Sequence, residues 1–282
     1  MQCVLILLLR RSLLENTGCV MKKILGNKRY SGFVWHMIFT LPFVGLSLLI
    51  LQFTQGVTWF LISSVLRIVF GVGILIVSGR LFELVPTEII SNKNLRSALT
   101  AGLGFLLFFL YFLVQVVLGF GRLTGLTVGI FLTKVLLQQL TTGFYEELNY
   151  RFLLLEGLKF TANSTRYKLI YVFASTVLFG IVHCIPSWDT YTFLTTGAIG
   201  FSFAVIYVKS GNIVLPMVLH FIYDFLIKMT AFVQWRPNPF YNVICGCSDI
   251  AYVVMFMISF VILMGVNGDG SRIGDRKWMR MR

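Results

Sequence analysis

Four side chains in the second half of this chain are of types that move protons or polarise a carbonyl: Glu146, His183, His220 and Asp224. Each lies in a long apolar run, where an ionisable group is costly to keep and is therefore a candidate for function. Glu146 is followed directly by Glu147, and Arg151 stands four residues beyond Glu147. Successive helical residues point about 100° apart, so the two carboxylates face different neighbours. Glu147 and Arg151 share a face at i, i+4, the spacing of an intrahelical ion pair that neutralises both groups in lipid. Glu146 is left without a partner in sequence, the kind of carboxyl whose desolvation suits it to general acid–base work. His220 and Asp224 are likewise i, i+4 on one face, and Phe179 precedes His183 by one turn, placed to wall the same site.

Such residues need rigid elements to position them, and the composition says what kind. Hydrophobic residues make up 57% of the 282 and charged ones 12%, with 27 Phe and a mean hydropathy of +0.84. A soluble domain carries about a quarter charged residues, so this chain cannot cover itself with a charged surface. Apolar runs of about 20 residues, long enough to cross the hydrocarbon as helices, occur near 33–52, 57–80, 98–120, 126–157, 167–186, 190–208, 212–233 and 250–266. The runs are continuous rather than alternating, which excludes a transmembrane β-barrel. The expected fold is all-α: a polytopic transmembrane helix bundle of about eight spans.

The formal net charge of +13 does not point to nucleic acid, because the basic residues gather at the chain ends and in alternate loops. Arg10, Arg11, Lys22, Lys23, Lys28 and Arg29 precede the first run, and Arg272, Arg276, Lys277, Arg280 and Arg282 follow the last. Loops after the second, fourth and sixth runs are also basic, and the intervening ones are poor in Lys and Arg. This positive-inside pattern predicts a multi-pass protein of the cell membrane with both termini cytoplasmic. The five Cys show no metal or disulfide framework. Residues 1–20 carry Arg10 and Arg11 after a short apolar run, the reverse of a signal peptide, and read as a dispensable extension ahead of Met21.

Depth offers an independent check. With cytoplasmic ends near residues 158, 168 and 211, a rise of 1.5 Å per residue puts Glu146 ~18 Å deep, His183 ~22 Å, His220 ~13 Å and Asp224 ~20 Å. Three separate helices thus deliver polar residues to one layer of a core ~30 Å thick. In the first half, His36 near a span end reads as an interfacial or packing residue, and Arg67 in mid-span as a helix-packing or headgroup residue. Lys134 and Lys228 can snorkel.

The three segments resemble the CPBP family, also called the Abi or CAAX-protease-like family of intramembrane proteases. Its pattern is Glu-Glu-x-x-x-Arg, Phe-x-x-x-His and His-x-x-x-Asn/Asp. All three occur in order here, at Glu146 to Arg151, Phe179 to His183 and His220 to Asp224. The Ser210-Gly211-Asn212 turn and Pro216 are similar to the family's lead-in to its last motif. The resemblance implies an endopeptidase acting on a membrane-associated peptide or protein, in peptide maturation or bacteriocin self-immunity. Glu146 would activate the attacking water and His183 hold it. His220 and residue 224 would stabilise the oxyanion, with Glu147, Arg151 and Phe179 in support. Residue 224 is Asp where the CAAX-processing members have Asn, and a carboxylate donates a hydrogen bond only when protonated. An ionised Asp224 would instead act as a charged partner of His220. The resemblance fixes no cofactor; were there one it would be zinc, with Glu146, His183 and His220 as ligands.

The chain accordingly divides into a cytoplasmic segment 1–30, three accessory helices in 31–125, a catalytic core of four helices in 126–233, and a last helix with a basic tail in 234–282. Partners are the substrate and the bilayer, with no nucleic acid. The rival readings are a non-catalytic binding or immunity protein of the same fold and a proton-coupled transporter.

Overall fold

Backbone in lipid must satisfy its own hydrogen bonds, so long apolar runs become helices. The computed structural model describes residues 31–82, 84–159, 165–185, 187–236 and 238–265. The extension expected over residues 1–20 and the basic tail lie outside them. All eight apolar runs are helical. Two helices come first, α1 (Ser31–Leu51) and α2 (Gly56–Phe82), followed by the single turn α3 (Pro86–Ile89). The run expected at 98–120 is broken at Gly102 into α4 (Leu95–Ala101) and α5 (Leu103–Gly119), which meet at 67°.

The rod called α6 is composite. It begins at Val128–Ile130, passes through a π-helical stretch Phe131–Leu137, the α-helix Gln138–Glu147 and a second π-helical stretch Leu148–Leu153, and ends at Leu154–Lys159. Three further helices follow: α7 (Thr165–His183), α8 (Thr190–Ser210) and α9 (Val214–Thr230). The last pair, α10 (Pro239–Gly246) and α11 (Ser248–Met264), meets at 45°. A short antiparallel ribbon not foreseen from the sequence pairs β1 (Phe120–Leu123) with β2 (Val233–Trp235), Phe120 opposite Trp235 and Leu123 opposite Val233.

By length and apolar composition, three described helices can cross a membrane: Gly32–Leu51, Gly56–Phe82 and Thr190–Ser210. The number is five if each bent pair counts as one span. The expected eight therefore do not all pass that test. The reason is visible in α6 and α9, whose charged residues lower the apolar average, while α7 contributes only a shorter apolar stretch, Lys168–His183. Large side chains on the outside of the bundle, such as Leu41, Val65 and Val117, are exposed as lipid-facing residues would be.

Helix ends are set locally. Asp189 caps α8 by accepting from the backbone N–H of Thr192 at 2.8 Å. Gly211 ends it at φ +68°, a left-handed conformation that Gly takes without a Cβ penalty. Asn212 then fixes the start of α9, accepting from the Leu215 N–H at 2.9 Å and donating to the Lys93 carbonyl at 2.6 Å. Two apolar clusters fill the bundle. One, around Tyr145, Leu148, Phe152, Tyr171 and Phe201, joins α1, α2, α6, α7 and α8. The other, around Phe105, Phe203, Tyr223 and Met255, joins α4, α5, α8, α9 and α11.

Candidate active site

The site forms where α6, α7 and α9 meet, and small residues allow the approach. Gly143 of α6 lies against α9, where a Cβ would come within 2.9 Å of the Met217 carbonyl oxygen and 3.4 Å of the Phe221 nitrogen. One turn later, the α6 backbone widens into the π-helical stretch Leu148–Leu153, a distortion frequent at functional sites. Gly200 of α8 makes room for the Phe179 ring, which a Cβ there would meet at 2.9 Å.

Glu146, His183, His220 and Asp224 all converge. Glu146 Oε2 lies 3.9 Å from His183 Nε2 and 3.8 Å from His220 Nε2, and it has no hydrogen-bond partner. His220 Nε2 also lies 3.4 Å from Asp224 Oδ2. Accessibility separates two groups of residues: Glu146, Asp224 and His183 are 12%, 23% and 31% exposed, whereas Glu147 and Arg151 are fully buried. The open residues are those a substrate and water could reach.

Each imidazole is held by its Nδ1. His183 Nδ1 meets the Phe179 carbonyl at 2.7 Å. A carbonyl only accepts, so Nδ1 donates this bond, and Nε2 is the nitrogen that faces Glu146. His220 Nδ1 meets Glu147 Oε1 at 2.9 Å. Phe179 walls the site as expected: its ring centroid is 4.4 Å from that of His183 and 5.9 Å from that of His220.

Glu147 and Arg151 make the ion contact that their spacing suggests, 3.1 Å between Oε2 and Nε, though without hydrogen-bond alignment. Arg151 also donates to Ser175 Oγ at 2.7 Å and lies over the Phe179 ring at 4.6 Å. The sequence reading missed one link. Glu147 reaches His220 as well as Arg151, so the two adjacent carboxylates approach the same imidazole on different nitrogens. Only the packing of α6 on α9 reveals this, since the partners are 73 residues apart.

It also missed a buried polar network behind the site. His36 is fully buried rather than interfacial. Its Nδ1 lies 3.0 Å from Asn149 Oδ1, and Asn149 Nδ2 donates to Thr40 Oγ1 at 2.8 Å and to the Tyr145 hydroxyl at 3.2 Å. The position of Asn149 between Glu147 and Arg151 was the available signal. An amide in the middle of an apolar run needs a partner.

Zinc fits this donor set poorly. Two ligands of one tetrahedral zinc stand about 3.4 Å apart at normal bond lengths, closer than the 3.8 and 3.9 Å found between Glu146 and the two imidazoles. Among the described residues, no group of three or more His, Cys, Asp or Glu side chains is arranged to hold a metal ion.

Comparison with known proteins agrees with the motifs. Residues 127–226 match the family model "Type II CAAX prenyl endopeptidase Rce1-like". The matched segment contains all four convergent residues and supports a CAAX-protease-like family, a family of proteases, for that part of the chain. No curated protein and no solved structure matches the chain.

Proposed function

We propose that this chain, with a CAAX-protease-like core at residues 127–226, is an intramembrane endopeptidase that hydrolyses a membrane-associated protein or peptide. The observation that carries the reading is Glu146, a side chain 12% exposed whose sealed Oε2 has no hydrogen-bond partner and lies 3.9 and 3.8 Å from two imidazole Nε2 atoms. Those gaps are too wide for direct hydrogen bonds and leave the carboxylate free to engage a water.

Glu146 takes a proton from that water while His183 Nε2 accepts the water's other hydrogen and fixes its direction. The water oxygen attacks the peptide carbonyl carbon, and the carbonyl π electrons move to oxygen. His220 stands between Glu147 at Nδ1 and Asp224 at Nε2, and only an imidazolium donates from both nitrogens. That cation stabilises the oxyanion, with Asp224 as its charged partner rather than as a donor. The oxyanion then re-forms the carbonyl as the C–N bond breaks, and Glu146 passes its proton to the leaving nitrogen. The products are a carboxylic acid and an amine, between which the remaining proton of the water is exchanged. Glu147 and Arg151 hold His220 and the helix in place.

In this reading the enzyme is of glutamate type. It lies in the cell membrane with both termini cytoplasmic, α6, α7 and α9 also cross the bilayer, and its role is peptide maturation or bacteriocin self-immunity. The test is expression of wild type and Glu146→Ala at equal levels in host membranes, followed by mass spectrometry of peptide ends. New C-termini are expected with wild type alone, and their formation should survive 1,10-phenanthroline. Identical peptide ends, or equal protection by both proteins in an immunity assay, would reject catalysis and favour a non-catalytic binding protein.

A further inference from the structure

Arg67 lies near the middle of α2, roughly 16 Å from its first residue and roughly 22 Å from its last at 1.5 Å per residue. A headgroup phosphate is out of reach at that depth. The guanidinium is always charged, and an uncompensated cation inside the hydrocarbon is expensive. Its own surroundings do little to offset this. Nη1 donates to the Ser63 carbonyl of the same helix at 3.2 Å, Nε is sealed without a hydrogen-bond partner, and the group lies 5.5 Å from the Phe43 ring centroid. Among the described residues, no carboxylate makes an ion pair with it.

Arg67 nevertheless belongs to the neighbourhood of the site. Phe43, over which it lies, packs on Tyr145 at 4.3 Å between centroids, and Tyr145 is the residue before Glu146. Its helix is held against α6 by Gln138 Nε2, which donates to Ser63 Oγ at 3.0 Å, and by Gly71, which lies against the Phe144 ring. A permanent cation with no carboxylate ion pair among the described residues thus stands on the helix packed against α6. Lys228, one turn beyond Asp224 on α9, is a second accessible cation near the site.

We propose that Arg67 binds a carboxylate carried by the substrate, so that a helix outside the family-matched segment sets specificity. The inference rests on the protease reading for the word substrate, but the binding site stands on its own geometry. A carboxylate approaching Glu146 and Asp224 is repelled by both, and Arg67 supplies a permanent positive charge on the α2 side of the site to offset this. The planar guanidinium matches a carboxylate bidentately, whereas a peptide carbonyl would leave its charge uncompensated. The carboxylate is either the α-carboxylate of a chain end or an Asp or Glu side chain near the scissile bond.

Three fluorescent hydrophobic decapeptides distinguish these sources: one a free acid at the C-terminus, one amidated, and one amidated with Glu at the ninth position. Binding is measured to the full chain in neutral phosphatidylcholine nanodiscs, in a Glu146→Gln background so that turnover does not interfere. At least one carboxylate peptide should bind about tenfold or more tightly than the neutral amide. Preference for the free acid identifies a chain end, and preference for the Glu peptide an acidic side chain. Arg67→Gln should erase the ratio, and Arg67→Lys should keep part of it, since charge is retained without the fork. Equal binding of all three peptides, binding of none, or an unchanged ratio in Arg67→Gln would overturn the proposal. Should Arg67→Gln fail to elute as a folded species, Arg67→Lys decides, and a ratio identical to its parent would overturn it too. Cleavage by wild type is scored separately. Absent cleavage with an intact ratio sinks the protease reading alone, and cleavage without a ratio sinks only the carboxylate site.

Discussion

The α6–α7–α9 centre and the α1–α2 pair are both apolar and helical, yet they treat charge differently. In the centre, Glu147, Arg151, His183, His220 and Asp224 each have a polar partner within 3.4 Å, whereas Glu146 Oε2 makes no hydrogen bond and approaches the two imidazoles only to 3.8 and 3.9 Å. In the pair, His36 is tied into the centre through Asn149, while Arg67 makes one bond to its own helix. Paired groups hold helices together in lipid, where leaving them unpaired is costly. Glu146 and Arg67 each keep a buried polar atom without a hydrogen bond, and in the proposed reaction they meet the water and the substrate carboxylate. The first half is therefore more than a passive flank, because it both props the catalytic helix and supplies charge beside it.

The comparison can be broken at several points. Arg151→Ala leaves Glu147 buried without its cation, and should cost about 3–5 kcal/mol. Thermal unfolding in detergent would read this, and a loss below about 1 kcal/mol would mean that the pair is not structural. Asp224→Asn keeps the shape but removes the charge beside His220. Turnover should fall roughly ten- to a hundredfold, the equivalent of one hydrogen bond to a charged group. Full activity in that variant would rule out the charged role. Asn149→Ala strips the partners from His36 and Thr40 and should cost about 1–3 kcal/mol, with cleavage reduced less than by Asp224→Asn. If stability did not change, α1 would not be propping the site.

The smallest effect is expected outside the membrane, at Asp189. The Thr192 hydroxyl and amide hold its carboxyl below the usual carboxylate range. A lowered folded-state value means stability that is present above the unfolded value and is lost as pH falls through the folded one. Asp189→Ala should therefore lower Tm slightly above ~pH 5, and the gap should close below ~pH 4. A gap constant across that range would show that the cap works without its charge.

Much of the centre was legible because its signals are local. Glu147 and Arg151 share a helix face at i, i+4, as do His220 and Asp224, and their motifs name the helices that must meet. The links between helices were not legible. Glu147 to His220 and His36 to Asn149 join residues 73 and 113 positions apart, and periodicity carries no trace of either. The break at Gly102 and the β1–β2 ribbon escaped for a related reason. Apolar character continues through Gly102, so hydropathy alone draws a straight span where packing bends the chain. The ribbon pairs two segments at the ends of separate runs, Phe120–Leu123 and Val233–Trp235, far apart in sequence. Arg67 was visible as a charge in mid-span, but its place against the helix that carries Glu146 needed the packing of α2 on α6.

The central claim is that Glu146 is the base of a hydrolytic site, and the most direct measurement is single-turnover cleavage by purified protein in nanodiscs. Wild type and Glu146→Gln would be compared on a membrane peptide identified from host membranes. Gln keeps the size of the side chain and cannot take a proton from water. The variant should fold and bind the peptide yet cleave it on the order of 10²–10⁴-fold more slowly. Cleavage by Glu146→Gln at the wild-type rate would contradict the account.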